Sequence, residues 1–182
     1  MKIKAIKSND KINYAEITEN AFEYAKLAYE QEEKREDSLI NQATQMTTYF
    51  SFVSVLVLMV IPVIVFKGTM IPPKYTATVS VITLSLLFAS MILAVLAQWR
   101  FKYQSLAAPL EMFEHIMNNT DFFKTQEQRN KSFVQSLNMT WTSKRKNNNK
   151  RAGLIKASMI VFLIGVGFYI AGTIFAVISF LI

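Results

Sequence analysis

The chain has 182 residues, 52% of them hydrophobic and only 18% charged. That length and composition fit one membrane domain with a modest water-facing part. With no cysteine and one histidine, His115, disulfides and thiol chemistry are excluded, and imidazole-rich metal centres are not expected. The opening Met1-Lys2-Ile3-Lys4 has no apolar core, so no cleaved signal peptide is expected and insertion falls to the first apolar run.

Residues 11–45 have the spacing of an amphipathic helix. Ile17, Ala21, Tyr24 and Ala28 recur at helical intervals, and Phe22, Ala25 and Tyr29 widen the stripe. Lys26 and Glu30, then Glu30 and Lys34, are opposite charges one turn apart. Neither Gly nor Pro occurs between Lys11 and Pro62, so this helix is predicted to continue unbroken into the first apolar run. Pro62 removes one backbone donor there and predicts a kink, either tolerated or used as a gating hinge.

Three stretches carry no Lys, Arg, Asp or Glu: Ser38–Phe66, Tyr75–Trp99 and Ala157–Ile182, of 29, 25 and 26 residues. About 20 apolar helical residues cross the hydrocarbon core of a bilayer, a length met by Tyr49–Phe66, Ala77–Ala97 and Ala157–Ile182. The expected fold is an all-α membrane protein with three transmembrane helices. Its expected parts are a cytosolic amphipathic helix (1–46), a two-span hairpin (47–99), a cytosolic helical segment with a basic linker (100–156) and a C-terminal span (157–182).

Charge sets the expected topology. Residues 1–46 hold seven Lys/Arg and residues 98–156 hold eleven, whereas the connection Lys67–Tyr75 holds two. The positive-inside rule places the first two segments in the cytoplasm and the connection outside, in an inner membrane, with the C-terminus also outside. Gly68 and Pro72-Pro73 suit a tight turn between antiparallel spans.

Between spans 2 and 3, Leu106, Leu110, Phe113 and Met117 form one helical stripe, and Phe133, Val134, Leu137 and Trp141 another. Asn118-Asn119-Thr120-Asp121 predicts a stop followed by a fresh N-cap, and Pro109 bounds the first of these helices.

Small residues recur every seven positions in two spans: Thr76, Thr83, Ser90 and Ala97 in span 2, and Ser158, Gly165, Gly172 and Ser179 in span 3. Gly167 and Ala171 add a small-xxx-small pair, and Thr47, Ser51 and Ser54 lie in span 1. Small faces let helices approach closely in lipid. Two readings fit: helix packing within one protomer, or lining of a water path between protomers. Three helices alone leave no lumen, so the second reading requires a homo-oligomer of three or more protomers. No charge lies deep in a span, which argues against proton relays and coupled transport.

The basic cluster Lys144, Arg145, Lys146, Lys150 and Arg151 precedes span 3. It fits binding of anionic lipid, with orientation of the span as the simplest role. It also fits pairing with the acidic run Glu30–Asp37, or an anionic nucleotide or oligonucleotide stacked on Trp141 with Arg100 and Lys102 assisting. No phosphate loop, nucleophile elbow, paired carboxylates or metal-ligand cluster occurs, so neither enzyme chemistry nor a cofactor is expected.

The charged helix Phe22-Glu23-Tyr24-Ala25-Lys26-Leu27-Ala28-Tyr29 through Lys34-Arg35 leads into a two-span hairpin at Thr47–Trp99 and then a cytosolic helical segment. Over roughly residues 12–120 this layout resembles the SLATT group of bacterial membrane effectors. Members usually have two spans, and this chain adds a third. The resemblance implies a channel or pore acting in antiviral defence, controlled by a partner protein or its nucleotide product. The alternatives are a non-conducting membrane adaptor that recruits a cytosolic protein, and a holin-like lysis protein.

Overall fold

The structure is a computed structural model and describes residues 14–66, 73–99, 101, 109–119 and 123–181. Among these residues it is all-helical, with α1 Tyr14–Phe66, α2 Pro73–Gln98, α3 Pro109–Asn118 and α4 Gln126–Leu181. α1 passes from the charged segment into the apolar run without a break, and remains helical through Pro62 to Phe66. The Lys67–Tyr75 turn falls largely outside the described residues, as do Arg100, Lys102 and Leu106.

Two helices among the described residues are long and apolar enough to cross a membrane, within Ala77–Gln98 and Gln126–Phe175. Only 28% and 11% of their apolar windows are buried, the reverse of a core helix in a water-soluble domain. The expected crossing at Tyr49–Phe66 forms the end of α1, where side chains are described only as far as Met59.

α4 departs from the expected organisation. The basic segment is not a linker: one helix of 56 residues runs through it into the last apolar stretch. Gln126–Ala152 contains neither Gly nor Pro, and each asparagine at 147–149 costs a helix less than about 0.7 kcal/mol. The start of α4 is also not at Asn118–Asp121. Thr125 caps it instead: its Oγ1 accepts from Gln128 N at 3.3 Å, while Gln128 Oε1 accepts from Thr125 N at 3.3 Å. This Thr-x-x-Gln capping box satisfies two amide donors reciprocally. Asn118 does end α3, where Asn119 Nδ2 donates to the His115 carbonyl at 2.8 Å.

The chain divides into two compact units. One comprises Met1–Glu33 and Tyr103–Lys144; the other comprises Lys34–Lys102 and Arg145–Ile182. In the first, Phe22 meets Phe133 at a tilted 6.0 Å, and His115 meets the buried Phe123 edge-on at 5.6 Å. Leu137 is buried as its stripe predicts, whereas Met117 is exposed. The second unit is a three-helix bundle of α1, α2 and α4, in which Phe50 stacks on Phe162 at 4.1 Å and Tyr75 meets Phe175 at 5.8 Å.

Candidate functional site

Small and polar residues fill the centre of the three-helix unit, arranged in heptads. On α1, Ala43, Phe50 and Val57 are buried seven residues apart. On α2 the buried positions are Ser80, Thr83, Leu87, Ser90, Ala94 and Ala97, spaced alternately by three and four. On α4, Arg151, Ser158 and Gly165 are buried seven apart, and half-buried Gly172 continues the series. A 3.5-residue repeat keeps one seam facing its neighbours when helices coil left-handedly.

The stripes of spans 2 and 3 meet each other along this seam. Ser158 Oγ donates to the Ser90 carbonyl at 2.8 Å, and Ser90 Oγ donates to Leu87 O at 2.7 Å. A Cβ added to Gly165 would lie 3.1 Å from Leu86 Cβ, and one added to Gly172 would lie 2.8 Å from Val79 Cγ1. At these glycines the Leu86 and Val79 side chains of α2 take up the space a Cβ would need, and the small residue lets the two helices approach. Thr76 and Ser179 belong to α2 and α4, and Pro62 to α1, but their side chains lie outside the described residues. Gly167, by contrast, has open space where a Cβ would go, and Ala171 beside it is exposed.

Arg151 closes one end of the seam. It is 2% exposed, and its Nη1 donates to Glu36 Oε1 at 2.8 Å and to Asn148 Oδ1 at 3.3 Å. Its Nη2 donates to the Trp99 carbonyl at 3.3 Å, just past the end of α2, and the guanidinium carbon lies 5.2 Å from the centre of the Phe101 ring. One planar fork thus ties α1, the C-terminal end of α2 and α4 together. A cation there also complements the helix dipole of α2. Asn148 is fully buried, and Arg35 Nη2 donates to Asn149 Oδ1 at 2.9 Å. Gln98 Nε2 adds a bond to Thr47 Oγ1 at 2.9 Å.

In the other unit, Lys144 is also 2% exposed and donates to Glu33 Oε1 at 3.3 Å, with its ammonium 4.7 Å from the centre of the Tyr29 ring. Burial pushes this ammonium down, but Tyr29 and Glu33 outweigh it and hold the pKa above the ordinary lysine value.

The basic cluster therefore splits. Lys144 and Arg151 are buried and paired with the acidic run, while Arg145, Lys146 and Lys150 are exposed. Lys144 and Arg151 stand fourteen and seven residues before Ser158, so extending the heptad of span 3 backwards would have singled them out. Glu33, Glu36, Asn148 and the Trp99 carbonyl carried no signal of their own beyond the acidic run. Among the described residues, no group of His, Cys, Asp or Glu could hold a metal ion. No family model, curated protein or solved structure matches the chain.

Proposed function

We propose that the chain is an oligomeric effector of a bacterial inner membrane, crossing it three times and forming an ion-permeable path between protomers. The N-terminus and residues 98–156 lie in the cytoplasm, and the C-terminus lies outside. The observation that carries this reading is the outward pair Gly167 and Ala171. The heptad stripes of spans 2 and 3 are occupied within the chain, yet this second small-xxx-small pair on α4 is uncovered. Uncovered small residues on an apolar helix are what association in lipid uses.

Exposed hydroxyls at Thr44, Thr48 and Ser51 on α1 suit the lining. Each donates to its own helix carbonyl at 2.9, 3.1 and 2.8 Å, which leaves oxygen lone pairs for water or ions. The resemblance to SLATT effectors supports a role in antiviral defence, controlled by a partner protein or an anionic nucleotide. Exposed Arg145, Lys146 and Lys150 are the groups such an anion or acidic lipid would meet.

The deciding measurement is current across planar bilayers containing the purified protein, with the particle mass in detergent measured in parallel. Steady conductance from a particle of three or more protomers is expected, and Gly167→Leu lowers both while leaving the protomer folded. A monodisperse, silent monomer overturns the reading.

One observation favours the adaptor alternative. The charged unit holds a groove of about 280 Å³ between Tyr24 and Trp141, floored by Ala25, Ala28 and Leu137. A silent membrane protein that retains a cytosolic partner through Trp141 would be this adaptor.

A further inference from the structure

α4 has an uncovered basic face where it enters its apolar half. Lys146, Lys150, Gly153 and Lys156 are all exposed, and at 100° per residue they fall within about 120° of one another. None of these three lysines makes an ion pair or side-chain hydrogen bond with a described residue, in contrast to Lys144 and Arg151. One to two turns further on, in the same sector of the helix, Ile160 and Ile164 are 48% and 57% exposed. The charge-free run begins at Ala157. Trp99, whose carbonyl accepts from Arg151, is 66% exposed, and exposed tryptophan marks the headgroup level of a membrane-spanning unit. Arg151 stands between Lys150 and Lys156, so that level crosses the lysine face. Gly153 has nothing within 4 Å of the position a Cβ would take. Glycine is unfavourable inside a helix, and no packed neighbour calls for it here, unlike at Gly165 and Gly172. It leaves a strip of backbone bare between two lysines. Helical side chains lean toward the N-terminus, so Lys156 leans over that strip.

We propose that this face binds the phosphate of an acidic phospholipid, its headgroup seated over Gly153 between Lys150 and Lys156, with Lys146 adding charge. The inference rests on the reading of residues 157–182 as a membrane span with residues 98–156 facing the cytoplasm. Lys150 and Lys156 are separated by about 9 Å along the axis at 1.5 Å per residue. The interfacial zone on one side of a bilayer is about 5–7 Å deep. Lys156 therefore reaches the phosphate from the hydrocarbon edge and Lys150 reaches it from the water side, as long basic side chains do at such boundaries. A soluble anion has only the charges to hold it. A lipid also lays its acyl chains on Ile160 and Ile164, and that second contact selects it.

The test is native mass spectrometry of the full-length protein in dodecyl maltoside micelles carrying phosphatidylglycerol or phosphatidylcholine at equal mole fraction. A lysine beside an acidic headgroup strengthens binding about fivefold, so Lys150 and Lys156 together predict a preference of about 25-fold for phosphatidylglycerol. Lys150→Gln or Lys156→Gln should each cut that preference to about fivefold, and the double variant should abolish it. Gly153→Leu meets open space, so it should leave the unfolding midpoint in place while covering the backbone and weakening the lipid. Lys131→Gln, at an exposed lysine of the other unit, should change nothing. Equal binding of the two lipids overturns the proposal. A preference that survives the lysine and glycine substitutions overturns it too, as general attraction to a basic protein. If sn-glycerol 3-phosphate binds as tightly as the lipid, the face takes a soluble anion and the lipid assignment falls. These outcomes use neither conductance nor particle mass, so a silent monomer can bind the lipid and a conducting oligomer can fail to.

Discussion

Lys144 and Arg151 lie one heptad apart on α4, are equally buried at 2% exposure, and each contacts a glutamate of α1. Their surroundings differ. Glu33, the partner of Lys144, is 53% exposed and the contact is 3.3 Å; Glu36, the partner of Arg151, is 15% exposed and the contact is 2.8 Å. The same contrast marks the units to which they belong. Large side chains such as Phe22, Phe133, Phe123 and Leu137 pack the first, as burial from water favours. Ser, Thr, Ala and Gly fill most of the second, where close approach of small faces is what holds apolar helices together. A charge is weakly consequential in the first setting and decisive in the second.

The largest expected effect follows from that difference. Arg151→Met takes the guanidinium away from half-buried Glu36 and from the Trp99 carbonyl, at a cost of about 3 kcal/mol. Thermal unfolding in detergent would register this as a large drop in midpoint. Arg151→Lys should recover only part, because an ammonium lacks the planar fork. The double variant Arg151→Met with Glu36→Leu should recover most of the loss. An additive double variant would show that the knot is not a coupled unit.

Next in size are the seam glycines. Gly172→Leu and Gly165→Leu collide with Val79 and Leu86, and overpacking of this kind costs about 1–3 kcal/mol. Gly167→Leu meets open space and should leave the unfolding midpoint unchanged. Equal sensitivity at all three positions would erase the distinction between inner and outer small faces.

In the charged unit, Thr125→Ala removes the capping box at the start of α4 and should cost about 1 kcal/mol. Amide hydrogen exchange would report it as faster exchange at residues 126–129, with the three-helix unit unaffected. The smallest effect belongs to the lysine pair. Lys144→Met should cost no more than about 1 kcal/mol, given a half-exposed partner. Because the folded pKa of Lys144 is raised, its contribution is complete at neutral pH and below. It is lost only as pH climbs through the folded value, above the ordinary lysine range. The gap between wild type and Lys144→Met should therefore stay flat through neutrality and close in strong alkali. A gap that stayed open in strong alkali would show that the ammonium charge is not its source.

The all-helical character, the uninterrupted α1, the end of α3 at Asn118 and the apolar lengths of α2 and the end of α4 were all legible in the residues. Helical periodicity, capping chemistry and hydrophobic run length are local properties, written within a few turns of chain. The capping box at Thr125 and the heptad reaching back from Ser158 to Arg151 and Lys144 were legible too, yet a string of lysines, arginines and asparagines masks them as a solvated linker. Only the tertiary structure decided which of the five basic residues are buried, that Glu36 and the Trp99 carbonyl share one guanidinium, and that Gly165 and Gly172 face inward while Gly167 faces out. Each helical residue turns its side chain by about 100°. Neighbours in sequence thus point to opposite fates, and which direction is inside exists only once the other helices are in place.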